Sequence, residues 1–507
     1  MRLSASTITS IRPSAAIHLP DPAVFGFPEK VLQFGAGVFV RGLIDYYIDK
    51  ANHAGLFKGR VVIVKSTDAG DVRDLRDQDG LYTLVMKSVA GDTDLEERRV
   101  CASVSRVLDA RTQWADVLAF AANPELTVVI SNTTENGIVL QLDENIDAKP
   151  PNSFPGKLLA FLRSRYEAFD GSDESGLVIL PTELIPGNGA LLKRIVNDLA
   201  KAHGLPEDII RWLNTANDFC DTLVDRIVPG KPPPEEQRQL EELLGYEDRA
   251  MVMAETYGLW AIETDRSRTR ALLSFSGVDP NIHVVPDIAK FRELKLRLLN
   301  ASHNLSCAVG YLCGFGTVRE AMENADFNRY MEDLILEDIA MSIVFTAGIT
   351  PEEARSFGQS VLERYRNPYI GFEWLSICVE DTSKLRVRAV PVVLQHYEKY
   401  GFVSARLALS FAAYMLFMHT ETDGEGHYKG VSRGREYGVI DEHAVDMHRK
   451  WSRYSGRMLV REVLQDVRLW GTDLNGLTGF AEQACNYLTR WLDQETLLFT
   501  DVKKLST

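Results

Sequence analysis

The chain has 507 residues, 45% of them hydrophobic and 25% charged, a globular composition with length for two or three cores. Seventy-one Asp and Glu against 56 Lys and Arg leave a net charge of −15. That balance argues against nucleic acid or an anionic membrane as the main partner, since both want a basic footprint.

An anionic small molecule would then need a local basic pocket. The six cysteines (Cys101, Cys220, Cys307, Cys313, Cys378, Cys485) form no C-x-x-C and are expected as reduced core thiols of a cytoplasmic protein. The amino terminus lacks the sustained apolar core of a secretory signal. The longest uncharged apolar run, 407–418, is too short to span a bilayer.

Residues 1–22 read as an extended arm. The run KVLQF at 30–34 predicts a buried strand that enters Gly35-Ala36-Gly37-Val38-Phe39 and then a helical pattern to about His53. Strand, glycine turn and helix form the context of a dinucleotide-binding turn. Gly35 would allow the tight turn, and Gly37 would let the backbone approach a pyrophosphate at the helix amino terminus. Val40 stands where the third glycine of G-x-G-x-x-G would be, so the fingerprint is incomplete.

A second strand is predicted at 60–66, RVVIVKS. The first acid beyond it is Asp68, which can bind ribose hydroxyls or cap the next helix. NAD is expected over NADP, although Lys65 at the strand end could face a 2′-phosphate. Strands are also predicted at 81–89 and 98–107, joined by a polar turn beginning at Gly91. The buried run LTVVI at 126–130 leads into Ser131-Asn132-Thr133-Thr134, read either as a ligand-binding loop or as a turn with a helix cap. A helix is expected at 154–168 and a strand at 176–180, leading into a loop that ends at Gly189. Asn188, between two glycines, is either a left-handed turn residue or an amide aimed at a ligand. From about 286 onward helical periodicity dominates, and 420–438 reads as a loop inserted in that helical region.

The segment 291–304, FRELKLRLLNASHN, opens the helical part. At about 100° per residue, Asn300 lies about 140° and His303 about 80° from Lys295, so all three heads share one arc with Leu299. Read blandly, these are a surface lysine, an asparagine near a helix irregularity and a core histidine. Read chemically, a cation, an amide and an imidazole on a partly apolar face need partners.

The ordered set GAGVFVRG, SNTTENGI, TELIPGNG, TLVDRIVPG, KLRLLNASH, RYRNPYI and DTSKLR resembles the mannitol dehydrogenase family over roughly residues 30–480. The likeness is closest to its uronate branch. Thr182-Glu183-Leu184 and Ser376 stand where mannitol-specific members carry other residues. The resemblance implies an α/β Rossmann-like amino-terminal domain (23–285, after an arm at 1–22) and an all-α carboxyl-terminal domain (286–507). It implies an NAD-dependent, metal-independent interconversion of a keto-hexuronate and its aldonate, with D-tagaturonate and D-altronate the expected pair. Lys295 takes the catalytic lysine's place, Asn188 and Asn300 those of the oxyanion amides, and His303 that of the orienting histidine. Asp225 and Lys384 take substrate-binding places. The cofactor residues are Gly35, Ala36, Gly37, Val38, Phe39, Asp68, Asn132, Thr133 and Thr134. A monomer acting on a small sugar acid or polyol, without nucleic acid or membrane, is expected. Fructuronate (mannonate) or polyol dehydrogenases of the family, and a non-catalytic dinucleotide-binding regulator, are the competing readings.

Overall fold

The computed structural model describes residues 1–12, 17–66, 71–90, 93–133, 137–423 and 425–506. The chain forms two compact units, Met1–Ser88 with Asp94–Ile288, and Ala289–Thr507 with Val89–Thr93. The first is built on six strands: β1 (Glu29–Phe34), β2 (Arg60–Lys65), β3 (Val104–Asp109), β4 (Val128–Ser131), β5 (Val178–Pro181) and β6 (Asp218–Phe219). They pair in parallel in the order β3-β2-β1-β4-β5-β6. The order reverses between β1 and β4, which is where such sheets bind ligands.

The apolar runs follow from burial on both faces. Val31, Ile63, Val128 and Val178 join one hydrophobic cluster. Their neighbours Leu32, Val62, Val129 and Ile179 join another on the opposite face. The strand expected at 98–107 divides at Ala102-Ser103. Thr93–Cys101 belongs to a small sheet with Tyr82–Ala90 and Val252–Ala254, while Val104–Asp109 joins the main sheet. The arm expected at 1–22 is also no loose extension, because Leu3, Ile8, Ile11 and Ile17 are buried with Leu81, Val100 and Tyr246.

The helix after the glycine turn runs through 38–53 and widens to a π-turn at Arg41–Asp45. Two carbonyls of this turn are taken by side chains. Tyr82 donates its hydroxyl to Arg41 O at 2.7 Å, and Arg226 donates to Gly42 O at 2.6 Å. Beneath the turn lies Asp45, fully buried. Gln33 of β1 donates one amide group to both Gly35 O (3.2 Å) and the Asp45 carboxyl (3.3 Å).

The second unit is helix-rich. Its first helix is continuous over 289–312, with a π-turn at Lys295–Ala301. It packs on Ala405–Phe417, a helix buried nearly all round, and on the short helix Trp374–Ile377. Gly310 permits the latter contact, since a Cβ there would come within 2.5 Å of the Trp374 indole. The expected loop at 420–438 forms a three-stranded antiparallel sheet in its described part: Glu421–Thr422, Tyr428–Ser432 and Arg435–Val439. The carboxyl-terminal unit is thus helical with one small sheet rather than all-α. Among the described residues no helix is long and apolar enough to cross a membrane.

Burial raises the Asp45 carboxyl from its ordinary 3.8 to about 7, against the Gln33 hydrogen bond and the nearby Arg41 charge. A carboxyl raised on folding lends stability fully present below its unfolded pKa and lost as pH climbs to about 7. Asp45→Asn, which cannot ionise, should therefore gain Tm over the parent progressively between about pH 4 and about pH 7 and hold that gain above it. Thermal melts across that range test this; an offset that stays constant with pH would refute it.

Candidate active site

The glycine turn has the shape of a dinucleotide cradle. Gly35 has φ +125°, and a Cβ there would lie 2.7 Å from the carbonyl oxygen of Asn132, so β1 and the loop after β4 meet only around glycine. At Gly37 a Cβ would meet nothing within 4 Å. Gly37 precedes the first helical residue, Val38, and the first-turn amides there have no intrahelical acceptor. Ala36, Val38 and Phe39 are partly buried against the core beneath. A cavity of about 550 Å³ opens at this point, lined among others by Gly35, Ala36, Gly37, Lys65, Asn132 and Thr133. These features fit a dinucleotide, since free helix-start amides at an open glycine turn are donors suited to phosphate. Two expected cofactor residues, Asp68 and Thr134, lie outside the described residues. Asp71 lines the same cavity and holds the Arg73 guanidinium at 2.8 Å.

The loops after β4 and β5 are clamped together by Glu183. Its buried carboxylate accepts from Ser131 Oγ (3.0 Å), Thr133 N (2.8 Å) and Thr133 Oγ1 (2.8 Å). Asn132 adds a bond to Thr182 Oγ1 at 3.0 Å. Burial raises the Glu183 carboxyl above the ordinary carboxylate range despite these donors. Glu183 was not among the expected site residues; its donors lie at the end of another strand, which its neighbours in sequence do not reveal.

Asn188 must be corrected. It is fully buried, and its amide nitrogen donates to the carbonyls of Pro181 (3.0 Å), Glu183 (3.0 Å) and Thr222 (3.2 Å). Its oxygen accepts from Gly189 N and Thr222 N, both at 2.9 Å. Both amide hydrogens are committed to backbone, so this residue braces the β5 loop against strand Thr222–Asp225 and has no donor left for an oxyanion. Asp225 is buried at the end of that strand, opposite Leu259. Next to it, Arg226 is also buried, donating to Glu255 O as well as Gly42 O, with its guanidinium 4.8 Å from the Tyr46 ring centre. Arg226 is the anchor that gives the VDRI motif its structural reason.

In the second unit the π-turn carries Lys295 and Asn300, and His303 follows it on the same helix. A π-turn bonds residue i to i+5, which brings Asn300 over Lys295 rather than well round the helix as α geometry would have it. Lys295 is 7% exposed. Asn300 is partly buried, and among the described residues nothing hydrogen-bonds its side chain. His303 stacks on Tyr365 with ring centres 4.2 Å apart and planes 26° apart. The Tyr365 hydroxyl donates to Leu299 O at 2.9 Å and lies 2.8 Å from Ser302 Oγ, which donates to Leu298 O at 2.5 Å. Asn304 joins this helix to the next motif, donating to Asp381 at 2.6 Å and accepting from Arg388 at 2.9 Å. Lys384, partly buried on that motif's helix, donates to Ile377 O at 3.3 Å and to Val379 O. Two of its three hydrogens thus hold backbone, leaving one for a ligand.

Residues 29–274 match the mannitol dehydrogenase Rossmann domain, and 287–491 match the mannitol dehydrogenase C-terminal domain. An altronate oxidoreductase of Bacillus subtilis is 35% identical over 469 residues, covering 91% of this chain and 92% of that protein. Its counterpart in Halalkalibacterium halodurans is 37% identical over 458 residues, covering 88% of each. Mannitol 2-dehydrogenase of Pseudomonas fluorescens, solved as a ternary complex with NAD and D-mannitol, shares the fold. It superposes with TM-score 0.70 at 23% identity, covering 100% of this chain and 99% of that one. A D-sorbitol dehydrogenase shares the fold likewise, at TM-score 0.79 and 21% identity, with both chains covered in full. The chain is an oxidoreductase belonging to the mannitol dehydrogenase family.

Proposed function

We propose that this protein interconverts a keto-hexuronate and its aldonate, D-tagaturonate and D-altronate, using NAD, with Lys295 as acid/base and no metal. The uncommitted Asn300 amide, one wide turn from a buried lysine, carries this reading. The relatives named altronate oxidoreductase support the substrate class. The NAD in the ternary complex of the mannitol 2-dehydrogenase supports the cofactor.

Bound at the Gly35–Phe39 turn, with Asn132 and Thr133 alongside, the reduced nicotinamide cofactor supplies hydride for the substrate carbonyl carbon. The protein supplies everything else. The Asn300 amide donates a hydrogen bond to the oxygen on which charge develops, without competing as an acid. Lys295 delivers a proton to that oxygen, and in the oxidative direction its neutral amine removes one. His303 orients a substrate hydroxyl or the lysine, and Asp225 binds substrate hydroxyls. Lys384 offers its remaining N–H to the uronate carboxylate, the local cation that a chain of charge −15 needs. The protein acts as a cytoplasmic monomer on this small molecule.

A spectrophotometric screen with NADH and NADPH over tagaturonate, fructuronate, fructose and simple ketones tests the substrate. Fastest turnover of tagaturonate with NADH, undiminished by a chelator, is the expected result; preference for an uncharged ketose would overturn it. Gly37→Val places a side chain in the open cradle, and titration should show sharply weaker NADH binding with the fold intact. Undisturbed binding would remove the turn from the cofactor site. Lys295→Ala should lower kcat by about 100-fold or more, the scale of general acid–base catalysis, with little change in NADH affinity. It should also lose the rise in oxidative activity with pH. Near-parental kcat with an unchanged profile would exclude Lys295 as the proton carrier.

A further inference from the structure

We propose that Tyr365 is a positioning residue for the reaction, acting through both its ring and its hydroxyl on the helix that carries Lys295, Asn300 and His303. The proposal rests on the functional reading above. Tyr365 stands in the last turn of helix Pro351–Arg366 and is 5% exposed. Its ring covers one face of the His303 imidazole at 4.2 Å, while Phe372 meets the same imidazole edge-on at 6.2 Å. Two aromatic walls on two sides leave the imidazole little room to rotate about its ring torsion, so its nitrogens keep one direction.

The hydroxyl does a different job. A π-turn replaces the regular i→i−4 bonds with i→i−5 ones, and carbonyls at the change of pattern are open to side-chain donors. Tyr365 adds its hydroxyl to Leu299 O at 2.9 Å, beside the Ser302 N–H, and Ser302 Oγ, touching Tyr365 at 2.8 Å, serves Leu298 O. These acceptors lie within Lys295–Ala301, the turn whose wide spacing sets Asn300 over Lys295. Loss of the hydroxyl removes an outside donor that favours the wide turn over regular α-helix. Misplacement of reacting groups by about 1 Å costs on the order of 100-fold in rate, so a change of turn geometry should appear in kcat.

Two variants separate the roles. Tyr365→Phe keeps the ring and removes the hydroxyl; Tyr365→Leu removes both. Tyr365→Phe should lower kcat about 10-fold and Tyr365→Leu about 100-fold, with KM and NADH affinity near parental. A purely structural residue would show lost Tm without this split in kcat. The second readout needs no substrate. In histidine-labelled protein, with the signal assigned through His303→Gln, the His303 Cε1 proton should sit upfield in parent and Tyr365→Phe. It should move downfield in Tyr365→Leu. Parental kcat in Tyr365→Phe, losses confined to KM, or a His303 signal unmoved in Tyr365→Leu would each overturn the proposal. Should Tyr365→Leu not fold, the kcat of Tyr365→Phe decides. A parent enzyme that turns over another ketone but no hexuronate defeats the substrate reading alone, and the Tyr365 comparison is then made on that ketone.

Discussion

Backbone carbonyls at a helix's wide turns depart from the regular α pattern and take side-chain donors, and two regions of this protein show that constraint. In the first unit, Tyr82 and Arg226 answer Arg41 and Gly42, just beyond the glycine turn. In the second, Tyr365 and Ser302 answer Leu299 and Leu298, within the turn that carries Lys295 and Asn300. A wide turn is costly on a bare helix and survives where the surrounding structure supplies donors. The long-range residues Arg226, Tyr82 and Tyr365 are therefore part of the geometry of both turns, and on the mechanism proposed above that geometry sets the reacting groups.

The main sheet was readable because physics leaves few alternatives for its strands. A run such as VVIV at 61–64, apolar at every position, suits only a strand buried on both faces, and the two clusters that receive alternate residues account for it. The glycine turn was readable for a similar reason, since Gly35 occupies a backbone angle and a space that no side chain shares. The helix of Lys295 was legible as a helix, but its π-turn was not. Apolar periodicity averages over many residues, and a single wide turn scarcely changes it. The sheet at 420–438 escaped notice because its strands are short, interrupted by glycine and largely exposed.

Asn188 shows a different limit. Its place between two glycines left open a turn residue or a ligand-facing amide. The outcome turned on three carbonyl acceptors, one of them Thr222 at a sequence separation of 34. Hydrogen-bond supply from distant backbone leaves no mark on the local sequence. The same holds for Glu183, whose partners Ser131 and Thr133 sit on another strand end. Residues whose role is intrinsic to their own geometry can be read from the chain, while those whose role is to complete another segment's hydrogen bonds cannot.

The Glu183 clamp has a consequence for how this unit could be recombined with its relatives. The carboxylate and its donors come from two loops that are neighbours in space but are separated in sequence by a helix, Phe154–Ala168. A crossover placed in that helix would draw the acid from one parent and the hydroxyls from another. Where the second parent lacks Ser131 or Thr133, a buried anion would be left with too few donors, a defect that costs several kcal/mol. The loops after β4 and β5 therefore form one heritable module, and exchange of substrate-facing sequence between family members is favoured where the break falls outside 131–183.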